Sequence, residues 1–459
     1  MDKVFLFFAV LASFTILCQW FVFSSVRKYL FKKYAPVTRG TAYPVLLGLG
    51  VLNYLGIKLA LDTGIFAADS FGRQVMGVLY FNFLGCTLAL VLFFLVLGVT
   101  STTLAGLAWT WRKARGTPAG CWTGPLHGET GAMKGREEPD QTGPIPDARE
   151  RRCTEDALAP TRREFLKWGA ATGVAGIIGL AGHGTARGFS AAVIERFDMP
   201  HPSLTGLSRP VVLIQVTDLH YGLFFGEDQL EHLVTTLNGM EADAVVITGD
   251  VFHSPITPVE SAIRPLQKLR ERRIGNFVIM GNHDFYAGEW RSTSAFEKAG
   301  LNALRNRWVR FEENGSVIHL GGIDDPLVSW ITGKTFPDFS RFARTIPQGP
   351  GMRVLLSHRP AVLPYAAQEG IDLVLAGHIH GGQIVIPRPG LERGLSVAAL
   401  VSEYTYGWYR DRKTRMYLNR GVGMTFVPWR IHCPPEIAVL RLTAPSAADL
   451  RVAAGEQTE

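Results

Sequence analysis

The chain is 459 residues long, with 47% hydrophobic residues, 19% charged residues and a formal net charge of +7. That length exceeds one ordinary hydrophobic core, so two or more units are expected. The modest charge sits in local basic clusters, which argues against a nucleic-acid footprint; the scattered cysteines (Cys18, Cys86, Cys121, Cys153, Cys433) exclude a disulfide framework and a Cys-x-x-Cys metal or redox motif.

Residues 1–111 are largely apolar and predict a transmembrane region of about three helices. Val4–Phe23 is nearly uncharged and long enough to cross a bilayer, which takes ~20 apolar residues. Arg27, Lys28, Lys32, Lys33 and Arg39 follow it, placing the N-terminus outside and the first loop in the cytoplasm. Tyr43–Leu61 is a weaker span whose Lys58 can snorkel; a buried or interfacial helix is the alternative. Val75–Trp111 is longer than one span needs, and is either one tilted helix or two closely packed ones. Residues 112–160, rich in glycine, proline and mixed charge, predict a disordered cytoplasmic linker.

Thr161-Arg162-Arg163-Glu164-Phe165-Leu166-Lys167 then precedes a mildly apolar run, Trp168–Gly182. Paired arginines, Phe-Leu, a lysine and a glycine- and alanine-rich run resemble a twin-arginine export signal, here in an internal position. Residues 161–186 are therefore expected to be a signal or anchor that engages the twin-arginine translocase; a fourth membrane helix is the alternative. Both place the C-terminal domain on the extracytoplasmic side of an inner membrane. Gly184-Thr185-Ala186 offers a small-x-small cleavage site, and an uncleaved anchor is equally compatible.

Residues 200–445 predict one globular domain, and residues 446–459 a tail. Val211–Val216 is a buried strand ending at Asp218-Leu219-His220, and residues 227–240 form an amphipathic helix. Ala244–Thr248 is a strand ending in Gly249-Asp250. Pro258–Arg272 reads as a helix, and Asn276–Met280 as a strand delivering the loop Gly281-Asn282-His283-Asp284. Further strands are expected at Val317–Gly321, Met352–Leu356, Leu373–Ala376, Met416–Arg420 and Glu436–Leu442. These lead to Asp324-Asp325, His358 and Gly377-His378-Ile379-His380. Alternating strands and helices predict an α/β fold with the site at the carboxyl ends of the strands. His378 and His380 share a side if the backbone there stays extended. Asp324 and Asp325 suit a turn, His232, His319 and His432 suit surface or core roles, and Tyr404, Tyr406, Trp408 and Tyr409 suit packing or an apolar or sugar group.

Asp218-x-His220, Gly249-Asp250, Gly281-Asn282-His283-Asp284, His358 and Gly377-His378-x-His380, in that order, resemble the calcineurin-like metallophosphoesterase family. Tyr417-x-x-x-Gly421-x-Gly423 and Pro435-Glu436-Ile437 are similar to exported or membrane-attached bacterial members related to UDP-2,3-diacylglucosamine hydrolases. The order of spans before the domain is similar to the animal transmembrane protein with metallophosphoesterase domain. The resemblance implies a four-layer αββα sandwich and two divalent ions drawn from Mn, Zn, Fe, Mg or Co. It implies that Asp218, His220, Asp250 and His380 hold the first ion, and Asp250, Asn282, His358 and His378 the second. It further implies that His283 serves the phosphate or the leaving oxygen, with Asp284 orienting its ring. His253 stands where many relatives carry an acid or amide, and either contacts substrate or shapes its loop.

The chemistry expected is hydrolysis of a phosphodiester or a lipid- or envelope-linked phosphate by a metal-activated water. Two rivals are a UDP-2,3-diacylglucosamine-type pyrophosphatase facing the cytoplasm and a non-catalytic membrane scaffold or sensor.

Overall fold

The computed structural model describes residues 162–255, 257–326, 339–391 and 393–446, with 18–22, 24–25, 81, 84–94, 96 and 103 from the N-terminal region. The chain divides into two compact units, residues 1–12, 50–86 and 178–459, and residues 13–49 and 87–177. In the second unit Phe94 is buried beside Phe93, whose ring lies against Gly173. Among the described residues no helix is long and apolar enough to cross a membrane. The transmembrane helices expected over 4–23, 43–61 and 75–111 thus gain no support, and most of their residues lie outside those described, as does the whole linker 112–160. Helix α1, Arg162–Gly188, covers the twin-arginine-like segment.

In the first unit the chain runs from β1 (Val193–Pro200) to β2 (Val211–Val216), α2 (Glu227–Asn238), β3 (Ala244–Ile247), α3 (Ile263–Gln267) and β4 (Gly275–Val278). It continues through α4 (Asn282–Lys298), β5 (Asn302–Ala303), β6 (Arg307–Glu313), β7 (Ser316–Ile323), α5 (Phe339–Ala343), β8 (Met352–Ser357), α6 (Leu363–Gln368) and β9 (Leu373–Ala376). A two-stranded hairpin, β10 (Val385–Ile386) and β11 (Leu395–Ser396), precedes β12 (Gly407–Asp411), β13 (Thr414–Leu418) and β14 (Glu436–Thr443).

Two six-stranded mixed sheets form, in the orders β1-β14-β2-β3-β4-β5 and β12-β13-β9-β8-β7-β6. Alternation along β2 shows how they stack. Val211 and Leu213 face the second sheet, where Leu320, Val354 and Leu375 meet them. Ile214 and Val216 face the opposite way, onto Leu230, Leu233 and Val234 of α2. On the far side, Leu363 and Ala366 of α6 cover Leu355, Val374 and Met416. The layers are therefore helix, sheet, sheet, helix. Each fully buried leucine contributes ~1.5–3 kcal/mol, so the packing of these three cores dominates the stability. Gln215, buried on the inner face of β2, links the sheets: its amide donates to the Ala376 carbonyl at 3.0 Å and to the Thr248 hydroxyl at 3.1 Å.

Two elements depart locally from the sequence expectation. The helix expected over 258–272 is a 3-10 turn (Val259–Ala262) followed by the short α3. Beyond its end Arg272, nearly buried, donates to the Leu237 carbonyl of α2 and to the Met240 carbonyl just past it. The loop expected at Gly281–Asp284 is instead the start of α4, with Gly281 as N-cap and Asp284 accepting its amide. Asparagine, histidine, aspartate and Gly288 make this a poor helical sequence on propensity, and the helix kinks at Gly288. Strand β1, which the sequence pattern does not mark, lies on the sheet edge beyond β14, with three of its eight residues exposed.

Candidate metal centre

The residues singled out at strand ends converge at the carboxyl ends of β2, β3, β8 and β9 and the N-terminus of α4. Asp218, His220 and His380 form one group that could hold a metal ion, and Asp250, His358 and His378 a second. In the first, His380 Nε2 lies 2.9 Å from His220 Nε2 and 3.2 Å from an Asp218 oxygen. In the second, His358 Nε2 lies 3.1 Å from both His378 Nδ1 and Asp250 Oδ2. The same Asp250 oxygen is 3.6 Å from His220 Nε2, so it faces both groups. Nitrogen ligands at ~2.0–2.1 Å from one ion sit about 3 Å apart when mutually perpendicular, the spacing observed here. The side-chain oxygen of Asn282 is buried, accepts no hydrogen bond, and belongs to a residue lining the same cavity. An orphaned oxygen among carboxylates and imidazoles is the donor set expected of a hard or borderline divalent cation.

Backbone strain builds this arrangement. Asp218, His220, Asp250, His378 and His380 all have left-handed backbone, with φ between 50° and 80°. Non-glycine residues rarely adopt it, and such strain concentrates at functional sites. For His378 and His380 this replaces the extended backbone expected from the sequence, and sends the two rings to different groups. Gly281 has no room for a side chain: a Cβ there would meet Asp250 Oδ1 at 2.2 Å.

A hydrogen-bonded shell holds the rings. His358 Nδ1 donates to the Thr248 carbonyl at 2.9 Å, which directs Nε2 toward Asp250. Asp218 accepts from the His378 amide and the Thr217 hydroxyl. Asp250 Oδ1 accepts from the His283 amide at 2.9 Å. His220 Nδ1 meets His253 Nδ1 at 3.2 Å, and His283 Nδ1 meets the His253 carbonyl. His253 therefore braces both a metal-type histidine and His283, and with them forms a third close group.

Asp284 does not orient the His283 ring, contrary to the sequence expectation. Fully buried, it accepts from the Phe252 and Gly281 amides, each at 2.9 Å. The reason is its place in the first turn of α4, where a carboxylate serves unpaired amides. Its role is to hold the two loops together.

Charge in the cluster follows the same geometry. Burial alone would raise the Asp250 carboxyl, but His358 and His283 outweigh it and hold it well below the usual carboxylate range. Burial opposes protonation of His358, yet Asp250 and Asp218 push it up to about 10. Burial, then the His283 ring, brings His253 down to about 3, so it is neutral at pH 7. Burial and the Asp250 charge push Asp284 up to about 8 against its two amide donors.

Three contributors escaped the sequence reading. Arg359, nearly buried and paired with Asp325 at 2.6 Å, lines the cavity next to His358. Tyr286 also lines it and packs on the His283 ring at 5.3 Å between centroids. The third is the apolar segment Val397–Val401 on the same wall. The His358-Arg359-Pro360 sequence was the only advance signal for Arg359. Asp324 is held by Arg305 and Asn306, consistent with a turn role. Of the aromatic residues, Trp408 packs on Phe197 and Tyr417, while Tyr404 reaches the cavity.

The sequence profile of the calcineurin-like phosphoesterases matches residues 211–382. A metallophosphoesterase of Bacillus subtilis (strain 168) is 30% identical over 298 residues, covering 61% of this chain and 97% of that protein. A metallophosphoesterase of Helicobacter pylori (strain 26695) is 32% identical over 251 residues, covering 52% of this chain and 61% of its own. The transmembrane protein with metallophosphoesterase domain of Danio rerio is 30% identical over 246 residues, covering 51% of this chain and 53% of that protein. This chain thus spans only part of the length of the last two relatives. With the profile lying across the metal-type cluster and one relative matched almost end to end, the chain belongs to the calcineurin-like phosphoesterase family, hydrolases of phosphoester bonds.

Proposed function

We propose that the chain is a metal-dependent phosphoesterase whose substrate joins the scissile phosphate to an apolar group, as in a lipid-linked phosphate of the cell envelope. Asp218, His220, Asp250 and His380 would hold one divalent ion, and Asp250, Asn282, His358 and His378 a second. Such ions supply a strong nucleophile from water at neutral pH and neutralise the phosphoryl oxygens. Asp250 keeps the two groups at a fixed separation through one oxygen, and its other oxygen fixes the His283 amide. His283, tied at Nδ1, keeps Nε2 for the phosphate or for a proton to the leaving oxygen. Arg359, held by Asp325, adds a fixed positive charge on the cavity wall.

One observation carries the substrate class. The cavity that contains His220, Asp250, Asn282 and His378 has a volume of about 770 Å³, and its apolar lining includes Ile384, Val397, Leu400, Val401, Phe426 and Val427. A small polar phosphate ester would leave that lining unused. The test is a series of phosphodiesters with one headgroup and increasing alkyl length, kept below micelle formation, with the Mn-loaded protein. Each buried methylene is worth ~0.8 kcal/mol, so kcat/KM should rise about fourfold per methylene until the wall is covered. A flat series refutes the apolar substrate and leaves only the phosphoesterase.

We further infer that the domain is exported by the twin-arginine translocase and works on the extracytoplasmic face of an inner membrane. Support comes from Arg162 and Arg163 at the start of α1 and from the glycine- and alanine-rich body that follows. Replacing both arginines by lysine should trap a reporter fused after residue 445 in the cytoplasm; undiminished export refutes the signal.

A further inference from the structure

Large apolar side chains exposed on this domain concentrate in one region. Of the thirteen exposed among the described residues from 178 to 446, five line the cavity and three lie on the β10–β11 hairpin. Tyr286, Val397, Leu400, Val401 and Phe426 line the cavity and also face solvent, Leu400 at 85% and Phe426 at 75% exposure. Ile386, Leu391 and Leu395 extend the apolar surface outward along the β10–β11 hairpin. One layer of side chains is thus shared between an apolar outer face and the inside of the site. A patch of this kind marks an interaction surface.

The hairpin is braced, not loose. The Arg393 guanidinium lies over the Tyr409 ring at 4.0 Å, and the Gly394 amide donates to the Tyr406 hydroxyl at 2.9 Å. The Ser396 hydroxyl donates to the Gly381 carbonyl at 2.8 Å, which ties the hairpin to the turn carrying His380. Its connection, Pro387-Arg388-Pro389-Gly390-Leu391, sets an exposed arginine beside an exposed leucine, with Arg393 beyond.

These features choose among occupants. Each hairpin strand has two residues, and Pro387 and Pro389 lack amide donors, so a partner strand gains little there. The hairpin connection carries Arg388 and Arg393 against one acid, Glu392, and exposed apolar residues beside such a net positive charge fit the boundary between acyl chains and anionic headgroups. We propose that the β10–β11 hairpin and the following Val397–Leu400 turn form a lipid-docking face. It seats on an anionic bilayer surface and opens the cavity directly to that surface. The purpose of such a face rests on the apolar-substrate reading above, but the docking itself does not require it.

The test uses the full chain in nanodiscs of phosphatidylcholine alone, or mixed with phosphatidylglycerol, and reads hydrogen–deuterium exchange. Peptides covering 385–401 should exchange about tenfold more slowly in the anionic discs, and salt should reverse part of that protection. The double variant Ile386→Asp with Leu391→Asp, neither residue lining the cavity, should lose the protection. It should keep its exchange pattern in β7–β9 and its turnover of soluble bis-p-nitrophenyl phosphate. Equal exchange in the two lipids overturns the proposal: fast in both leaves the face bare, and slow in both means that protein covers it. Docking with a flat alkyl series would sink the substrate reading alone; a rising series without protection would sink the docking alone.

Discussion

Replacing Asp284 separates two roles for a carboxylate in the Gly-Asn-His-Asp segment. Its two oxygens accept the Phe252 and Gly281 amides at 2.9 Å each, in a fully buried position. Asp284→Ala orphans both donors, and each orphan costs about 1–3 kcal/mol, so the loss should be about 4 kcal/mol. For a domain of this size 1 kcal/mol corresponds to ~2–4 °C, which puts the fall in Tm at about 8–16 °C. Asp284→Asn keeps one acceptor and turns an amino group toward the other amide, so it should recover less than half of the loss. The assay is calorimetry of the metal-stripped chain, where metal binding cannot mask the change. An Asp284→Ala protein that melts within ~2 °C of the parent but has lost turnover would refute this reasoning. It would mean that the carboxylate serves the His283 ring after all.

Other outcomes follow from the same geometry. Gly281→Ala should push Asp250 aside, since the new Cβ would lie 2.2 Å from Oδ1; metal analysis should show less than the parent's metal content, with turnover lost. His253→Ala removes the partner of His220 Nδ1, and should weaken metal binding about 10–100-fold by competition with a chelator. Asn282→Ala should likewise weaken metal binding, whereas His283→Ala should retain metal and lose turnover; normal turnover in the latter would remove His283 from the chemistry. Metal uptake should tighten with pH, because His358 is pushed up to about 10 and an entering cation must displace its proton. Between pH 6 and pH 9 the apparent affinity should rise about tenfold per unit, and a flat titration would show that the proton is absent. The sign for the metal-stripped fold is opposite: a raised histidine stabilises it fully below about 6.5, and that contribution fades as pH rises through about 10.

Much of this molecule was legible because its strands are short, apolar and followed at once by Asp, Asn or His. Val211–Val216 before Asp218 and Leu373–Ala376 before His378 needed no tertiary knowledge. What stayed hidden depends on contacts distant in sequence. Asp284 finds the Phe252 amide only once two loops meet, and Arg272 finds the Leu237 carbonyl only once α2 lies beside it. The left-handed turns at His378 and His380 aim the two rings at different groups, which no local pattern encodes. The edge strand β1 exists because β14 lies beside it to be paired.

That last pairing bears on the order in which the protein can be made. Among the described residues β14 is the final strand and lies between β1 and β2, and β1 has no other strand neighbour. The amides of Val422 and Gly423 also donate to the carbonyls of Thr217 and Asp218, where the first metal-type residues stand. A ribosome that has passed the region of the family profile has therefore not yet supplied the parts that shape Asp218. The centre is complete only when about the last thirty residues of the domain have left the exit tunnel. A chain stalled or clipped before Glu436 should yield a first sheet with a missing middle strand and no competent centre, however intact its signature residues.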